Sequence, residues 1–207
     1  DLDAASFTGT VLIAAEATEA VSEIVVNAIE LEIASVTVNG LTASFTLHEE
    51  SERLIISADV AKGPCEIAIA FTGILNDKLR GFYRSTFTDD SGVLRTIATT
   101  QMQSTDCRRA FPCFDEPDFK AVFAIDLTIK SEFLAVSNSS ETKREVLANG
   151  LTRIWFADTM IMSTYLVAFV VGPLEATETE MVGDIAVRII HVPGKSHLTE
   201  FGMRAGT

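Results

Sequence analysis

The sequence predicts an all-β fold, built as a sandwich or as large, curved and mostly antiparallel sheets. Asn39-Gly40 and Asn149-Gly150 each separate two β-rich runs, and Asn-Gly is the strongest short hairpin signal because a type I′ turn needs positive φ at both central residues. Apolar and polar residues alternate with a period of two over residues 123–130, as in a half-buried strand. Many short strands with frequent turns are typical of a sandwich.

The predicted strands follow one another along nearly the whole chain. Residues 17–30 fit either a helix or a strand, but their many β-branched side chains favour a strand. Further strands are predicted at residues 35–38, 42–47, 54–56, 65–71, 83–87, 93–99, 123–130, 143–147, 152–156, 162–171 and 185–191. Residues 162–171 are mostly apolar, so we expect a continuous, nearly fully buried strand there.

One helix is predicted, at the carboxyl end. Residues 197–204 have a helical pattern, and Ser196 is placed to cap its amino end. We therefore divide the chain into a β domain, residues 1–195, and a segment of linker and first helix, residues 196–207. Because the chain opens Asp1-Leu2-Asp3, without Met, we expect it to lie inside a longer protein.

The composition narrows the class of partner. The 207 residues carry a formal net charge of −13, which repels phosphate backbones and argues against nucleic acid as a partner. The strongly apolar run 165–171 is far shorter than the roughly 20 residues of a membrane-spanning helix, so no membrane partner is expected. Six basic residues are concentrated between positions 78 and 109, and they are expected to hold a loop or to meet an acidic neighbour: Lys78, Arg80, Arg84, Arg95, Arg108 and Arg109.

The three cysteines indicate a reducing compartment. An odd and low count, Cys65, Cys107 and Cys113, does not fit a secreted disulfide scaffold. We expect reduced, partly buried thiols in a cytoplasmic protein. Asn138-Ser139-Ser140 matches a glycosylation pattern, but so short a pattern often occurs by chance.

No complete active site is visible. The histidines are His48, His191 and His197, without a His-Glu-x-x-His motif, and no two cysteines have zinc-hook spacing. There is no nucleophile elbow, and the apolar surroundings of Cys113 do not activate a thiol. We therefore predict no catalytic residue, no metal ligand and no cofactor within this chain.

Residues 99–120 depart from the strand-and-turn pattern. They are rich in arginines and acids, and Pro117 keeps Glu116 extended. An irregular segment of this length inside a compact domain is usually functional or an interface. The alternative is a surface crossover that is held in place by arginine–carboxylate pairs.

Two long motifs carry a resemblance to a known family. The motifs are Asn-Asp-Lys-Leu-Arg-Gly-Phe-Tyr-Arg-Ser at 76–85 and Asp-Cys-Arg-Arg-Ala-Phe-Pro-Cys-Phe-Asp-Glu-Pro at 106–117. Together with residues 98–101 and 163–169, they resemble the aminopeptidase N and puromycin-sensitive aminopeptidase family of zinc-dependent gluzincins. The resemblance covers nearly the whole chain, most firmly residues 70–195.

The resemblance implies a saddle-like, non-catalytic amino-terminal domain of a zinc aminopeptidase. The partner of this domain would be the catalytic domain of the same protein, which carries the zinc and the His-Glu-x-x-His motif. In the family, a Gln-x-Glu loop of the amino-terminal domain helps to hold the free amino end of the peptide. The matching residues are Gln101, Met102 and Gln103, so an amide stands where most relatives have a carboxylate. A Gln-x-Gln variant also occurs in the leukotriene-hydrolysing branch.

Two other functions compete with this one. The chain could belong to a relative that has lost its zinc site and acts as a scaffold, which the sequence beyond residue 207 would reveal. It could also be a separate β-sandwich binding module, for example for carbohydrate. Such a module needs an exposed aromatic platform, and we expect the single tryptophan, Trp155, to lie in the core instead.

Overall fold

A computed structural model describes all residues, Asp1 to Thr207, and confirms the all-β prediction. Eighteen strands form six antiparallel sheets, and one short helix, α1, closes the chain. No helix is long and apolar enough to cross a membrane.

Nine strands come first, and the last of them extends two residues further than predicted, into the segment 99–120 that was expected to be irregular. They are β1 (Ser6–Ala17), β2 (Val21–Asn27), β3 (Leu31–Val38), β4 (Leu41–Thr42), β5 (Ser44–His48), β6 (Arg53–Val60), β7 (Gly63–Ile74), β8 (Gly81–Thr88) and β9 (Leu94–Gln101). The other nine follow it and are β10 (Asp126–Lys130), β11 (Leu134–Ser137), β12 (Glu141–Val146), β13 (Leu151–Phe156), β14 (Phe169–Gly172), β15 (Glu175–Ala176), β16 (Glu180–Val182), β17 (Ile185–Val187) and β18 (Ile190–His191).

The amino-terminal part is a sandwich of two sheets. One has the strand order β1-β7-β3-β4 and the other β2-β6-β5. Alternate residues of β7 are buried, among them Ile67 and Ile69, and they pack with Leu54 and Ile56 of β6. The resulting core contains 12 buried residues, all of them apolar or cysteine.

The first Asn-Gly hairpin is confirmed, but the strand after it is not continuous. Asn39 (φ 50°) and Gly40 (φ 78°) join β3 to β4. After Ala43 the chain leaves this sheet, and β5 pairs with β6 in the opposite sheet. A single strand over residues 42–47 was therefore wrong, because the chain turns a corner between the two layers of the sandwich.

The carboxyl-terminal part contains two further sheets that share a core. Their strand orders are β11-β14-β9-β8 and β10-β13-β12. Ile129, Ile154 and Val171 are among the buried residues of this core. The second Asn-Gly hairpin, between β12 and β13, is confirmed.

The continuous buried strand predicted for residues 162–171 was wrong. The segment turns through a 3₁₀ helix at Thr164–Leu166, and only Phe169–Gly172 is a strand. Ser163 Oγ donates a hydrogen bond to Pro117 O, and Thr164 Oγ1 donates one to Asp115. Because these hydroxyls bind elsewhere, the backbone around them leaves the sheet ladder.

The core position expected for Trp155 was also wrong. Its neighbours Ile154 and Phe156 are buried, so period-two alternation turns Trp155 to the outer face. Lys143 Nζ lies 4.2 Å from the ring centroid, and the guanidinium carbon of Arg153 lies 4.8 Å from it. Two cations cover the ring, so it is not the free aromatic platform that a carbohydrate module needs.

The predicted helix near the carboxyl end is confirmed, but its capping residue is not. Helix α1 spans Thr199–Gly206 and follows a 3₁₀ turn at Ser196–Leu198. Ser196 makes no side-chain capping bond, and its carbonyl accepts a hydrogen bond from Thr199 Oγ1 instead. The single strand predicted at residues 185–191 is divided between β17 and β18, which pair with different partners. The division of the chain at residue 195 stays a prediction.

Candidate functional site

Residues 101–117, here called the junction segment, run between the two cores. Backbone hydrogen bonds tie the segment to the first sandwich, since Asn27 and Cys113 exchange both N–H···O bonds, at 2.7 and 3.1 Å. Ile29 N donates to Arg108 O at 3.2 Å. A polar and irregular segment is thus fixed at several points along its length.

The Gln101-Met102-Gln103 motif lies at the start of the junction segment. Gln101 is the last residue of β9 and pairs with Gly81 of β8. The side chains of Gln101 and Gln103 are exposed, whereas Met102 is only 2% exposed and packs in a cluster with Val167 and Phe169. Met102 therefore anchors the motif and leaves the two amides to face outwards.

Internal hydrogen bonds also shape the motif. Asp106 N donates to Met102 O at 2.9 Å, which closes a turn directly after the motif. Gln101 Nε2 donates to Gln103 O at 3.5 Å. Because the nitrogen of the Gln101 amide makes this bond, the oxygen of the same amide stays available as an acceptor.

Gly81 is required where β8 meets the junction segment. Its φ is +65°, and an added Cβ would lie 2.6 Å from Arg109 Cβ. Both the positive φ and the close approach disfavour a larger residue at this position. This contact sets how closely the segment packs beside Gln101.

Arg108 joins the junction segment to the first sandwich through two carboxylates. Its Nε donates to Asp115 Oδ2 at 2.9 Å, and its terminal nitrogen donates to Glu52 at 2.9 Å. Asp115 is 3% exposed and also accepts a hydrogen bond from Thr164 Oγ1 at 2.6 Å. Burial opposes the charge of Arg108, but the bonds to Asp115 and Glu52 outweigh it and raise the pKa of the guanidinium.

Arg109 forms a second, parallel set of ion pairs. It lies 2.7 Å from Asp106, 2.9 Å from Glu30 and 3.6 Å from Glu52. Burial again opposes the charge, and the hydrogen bond to Asp106 and the charge of Glu30 raise the pKa of Arg109. The expectation that arginine–carboxylate pairs hold this segment is confirmed for both arginines.

The rest of the basic group behaves differently. Arg95 pairs with Asp89, and Lys78 lies 3.7 Å from Glu30. Arg80 and Arg84 form no salt bridge. Only part of the basic group therefore holds the loop.

The histidines do not form a zinc site. His48 and His197 are exposed, and His191 Nδ1 lies 2.8 Å from Val192 O. Cys107, Cys113 and Asp115 are the one group of three or more potential ligands that come together, and no histidine belongs to it. The histidines of this chain therefore do not fit a catalytic zinc.

Several contacts of this region carried no sequence signal. Thr164, Glu30 and Glu52 lie far from the junction segment along the chain and meet it only in the fold. Asn138 bridges Leu166 O and Ala168 N with its side-chain amide, so this asparagine of the glycosylation pattern has a structural partner. The concentration of basic residues between positions 78 and 109 predicted a held loop or an acidic neighbour, but not which acids would meet the arginines.

An exposed apolar patch lies next to the junction segment. Ala121 and Met162 exchange backbone hydrogen bonds, which brings residues 119–122 beside residues 160–162. The patch consists of Phe119, Val122, Met160 and Ile161, which are 57%, 50%, 81% and 68% exposed. Exposed apolar side chains grouped in this way often mark an interface.

The first sandwich, the two larger carboxyl-terminal sheets and the junction segment define an all-β domain that presents a polar motif at its surface. Residues 1–166 match the Peptidase M1 N-terminal domain family, and the chain belongs to this family. It is 36% identical to aminopeptidase 2 of Candida albicans over 200 residues, which cover 95% of this chain and 21% of that protein. It is 39% identical to aminopeptidase M1-A of Oryza sativa subsp. japonica, over 98% of this chain and 24% of that protein.

A third relative matches this chain with similar identity and coverage. Aminopeptidase M1 of Arabidopsis thaliana is 36% identical over the whole of this chain and 24% of its own length. The chain thus spans between a fifth and a quarter of the relatives' length.

Proposed function

We propose that this chain is the substrate-binding flank of a zinc aminopeptidase, which removes single residues from the amino ends of peptides. Membership of the peptidase M1 amino-terminal family is the observation that carries the proposal. The relatives named above are aminopeptidases, and each is about four times as long as this chain. The zinc and its ligands would belong to the rest of the parent protein, where the metal activates water for hydrolysis.

The role of the junction segment would be to hold the free amino group of the peptide. An ammonium ion needs acceptors, and the side-chain oxygens of Gln101 and Gln103 are acceptors on an exposed turn. Met102 would act through its burial, by fixing the turn from which both amides project. The fixed geometry supports this role because little ordering is then needed when a substrate binds.

The exposed apolar patch supports the presence of a covering domain. Four large side chains that are each at least half exposed would be costly in an isolated surface, and the relatives contain much more chain. We propose that the parent's catalytic domain lies over this patch and closes a cleft beside Gln101 and Gln103.

The proposed location is the cytoplasm. Three unpaired, buried cysteines fit a reducing compartment. The name of one relative, aminopeptidase 2, mitochondrial, of Saccharomyces cerevisiae, gives a different compartment for that protein. Its match covers 88% of this chain.

The test is steady-state kinetics of the full-length parent with substitutions at position 103. We expect Gln103→Ala to raise KM for aminoacyl substrates, because one acceptor for the ammonium is lost. Gln103→Glu should lower KM by about fivefold, corresponding to roughly 1 kcal/mol for replacing a neutral acceptor with a charged one.

The neighbouring Thr105, which is exposed and makes no side-chain hydrogen bond, provides the matched control. Thr105→Ala should leave both kinetic constants unchanged. The binding role is wrong if Gln103→Ala also leaves KM and kcat unchanged. A parent without any peptidase activity would contradict the enzyme assignment itself and favour the scaffold.

A further inference from the structure

The junction segment brings two thiols and a carboxylate together in a buried position. One ligand atom from each of Cys107, Cys113 and Asp115 lies within 4.8 Å of the other two. The three residues are 0%, 5% and 3% exposed. Around a tetrahedral zinc ion, with bonds of about 2.3 Å to sulfur and about 2.1 Å to oxygen, ligand atoms are separated by roughly 3.5 to 3.8 Å. Only small side-chain movements are needed to reach that spacing.

The backbone already holds these three residues in place. Cys107 begins a 3₁₀ turn, and Cys113 is paired through its backbone with Asn27. The side chain of Asn27 also accepts a hydrogen bond from Asp115 N at 3.1 Å. All three potential ligands therefore come from one short segment that is tied to a neighbouring strand.

The carboxylate has the surroundings of a ligating group. Thr164 Oγ1 and Arg108 Nε each donate to a different oxygen of Asp115, at 2.6 and 2.9 Å. Arg108 N also donates to Oδ2, at 3.4 Å, so Oδ1 is the oxygen that keeps a free lone pair for an ion. Metal-binding carboxylates are commonly oriented by such outer hydrogen bonds, and Asp115 would bind through Oδ1 as the third protein ligand.

A divalent cation would offset most of the negative charge of the ligands. Two thiolates and Asp115 carry three negative charges, and a divalent ion leaves one, which faces an Arg108 that also pairs with Glu52. Thiols must lose their protons to bind a metal, so the apparent affinity should rise with pH.

The surroundings also indicate the class of ion. Met102, Val167 and Phe169 belong to the same buried cluster as the two cysteines, so the site is closed off from bulk water. Sulfur ligands favour thiophilic ions, and a closed site is structural instead of catalytic. We propose that Cys107, Cys113 and Asp115 form a structural site for a thiophilic divalent cation of the zinc class, separate from any zinc of the parent's catalytic domain.

Cobalt spectroscopy on the 207-residue chain tests this site. The chain is unfolded and reduced, then refolded with Co²⁺, so that burial does not prevent loading. Cys65 is buried in the first sandwich without a second thiol, so Cys65→Ser is the matched control. Wild type and Cys65→Ser should show thiolate-to-cobalt charge transfer that saturates at one ion per chain and is lost when Zn²⁺ is added.

The ligand variants should lose this signal. Cys107→Ala and Cys113→Ala are each expected to abolish the charge-transfer band, and Thr164→Val should weaken affinity by about tenfold, as for other outer-sphere groups. The proposal is overturned if folded wild type shows no band, or if Cys107→Ala shows the same band. A Cys107–Cys113 disulfide that forms in the presence of metal and reductant would also overturn it.

Discussion

The first sandwich and the junction segment are stabilised in different ways. Among residues 1–75 every buried side chain is apolar or a cysteine, whereas Asp115, Ser163 and Thr164 are buried at the junction. Arg108 and Arg109 add ion pairs to Glu30, Glu52, Asp106 and Asp115 there. No buried side-chain nitrogen or oxygen lacks a hydrogen-bond partner.

This difference reflects what each region has to do. An apolar core stabilises a fold through non-directional burial, and it accepts many arrangements of similar volume. A hydrogen-bonded network of charges has strict geometric requirements, so it can hold an irregular backbone in one conformation. The junction segment, which carries Gln101 and Gln103, depends on such a network.

The largest effect is expected when the buried ion pair is broken. Arg108→Met keeps most of the stem but leaves Asp115 buried without its cation, which should cost about 3 to 5 kcal/mol of unfolding free energy. Urea denaturation of the 207-residue chain measures this loss. The control is Arg144→Met, because Arg144 binds Glu141 at the surface with 43% and 36% exposure and should cost less than about 1 kcal/mol. Equal losses in the two variants would show that burial does not distinguish the two pairs.

A slightly smaller loss is expected in the apolar core. Leu54 is 0% exposed, and Leu54→Ala should cost about 2 to 5 kcal/mol, since it leaves a cavity between the two sheets. Leu12 is 61% exposed on β1, and Leu12→Ala should change stability by about 0.5 kcal/mol or less. Urea denaturation of the two variants measures both losses of unfolding free energy. A mild effect at Leu54 would mean that the two sheets close over the cavity.

The smallest effect concerns the close contact beside the glutamine motif. Gly81→Ala adds a Cβ at positive φ and against Arg109, whereas Gly92→Ala meets open space at a similar φ of +78°. The conformational cost of about 1 to 2 kcal/mol is common to both, so the extra loss at Gly81 measures the clash. Thermal unfolding compares the pair. If the two variants melt at the same temperature, Arg109 moves away without cost.

Much of the fold could be predicted from local patterns. Both Asn-Gly hairpins and the terminal helix were recognised, because turn chemistry and short-range periodicity act over a few residues. The strand predicted over residues 162–171 failed, since Ser163 and Thr164 bind partners 46 and 49 residues away. Trp155 was misplaced because the sequence alone does not reveal which face of β13 is covered.

The Gln101-Met102-Gln103 motif was likewise predicted in part from the sequence and in part revealed only by the fold. Its position in an irregular polar segment was visible in the sequence, and its proposed role came from the family resemblance. The burial of Met102, which separates the anchor from the two exposed amides, became visible only in the fold. The meeting of Cys107, Cys113 and Asp115 was likewise hidden, and the expectation of no metal ligand in this chain now stands against the proposed site.

By itself, the sequence determined the β-rich class, the main turns and the family motifs, because these depend on residues that are close together along the chain. The tertiary structure decided which sheet each strand joins and which carboxylates meet Arg108 and Arg109. Those choices depend on contacts between distant residues, such as Glu52 with Arg108, and no local pattern tells which acid an arginine meets. A buried charge without its partner is costly, so a packing that keeps these acids away from the arginines of the junction is disfavoured.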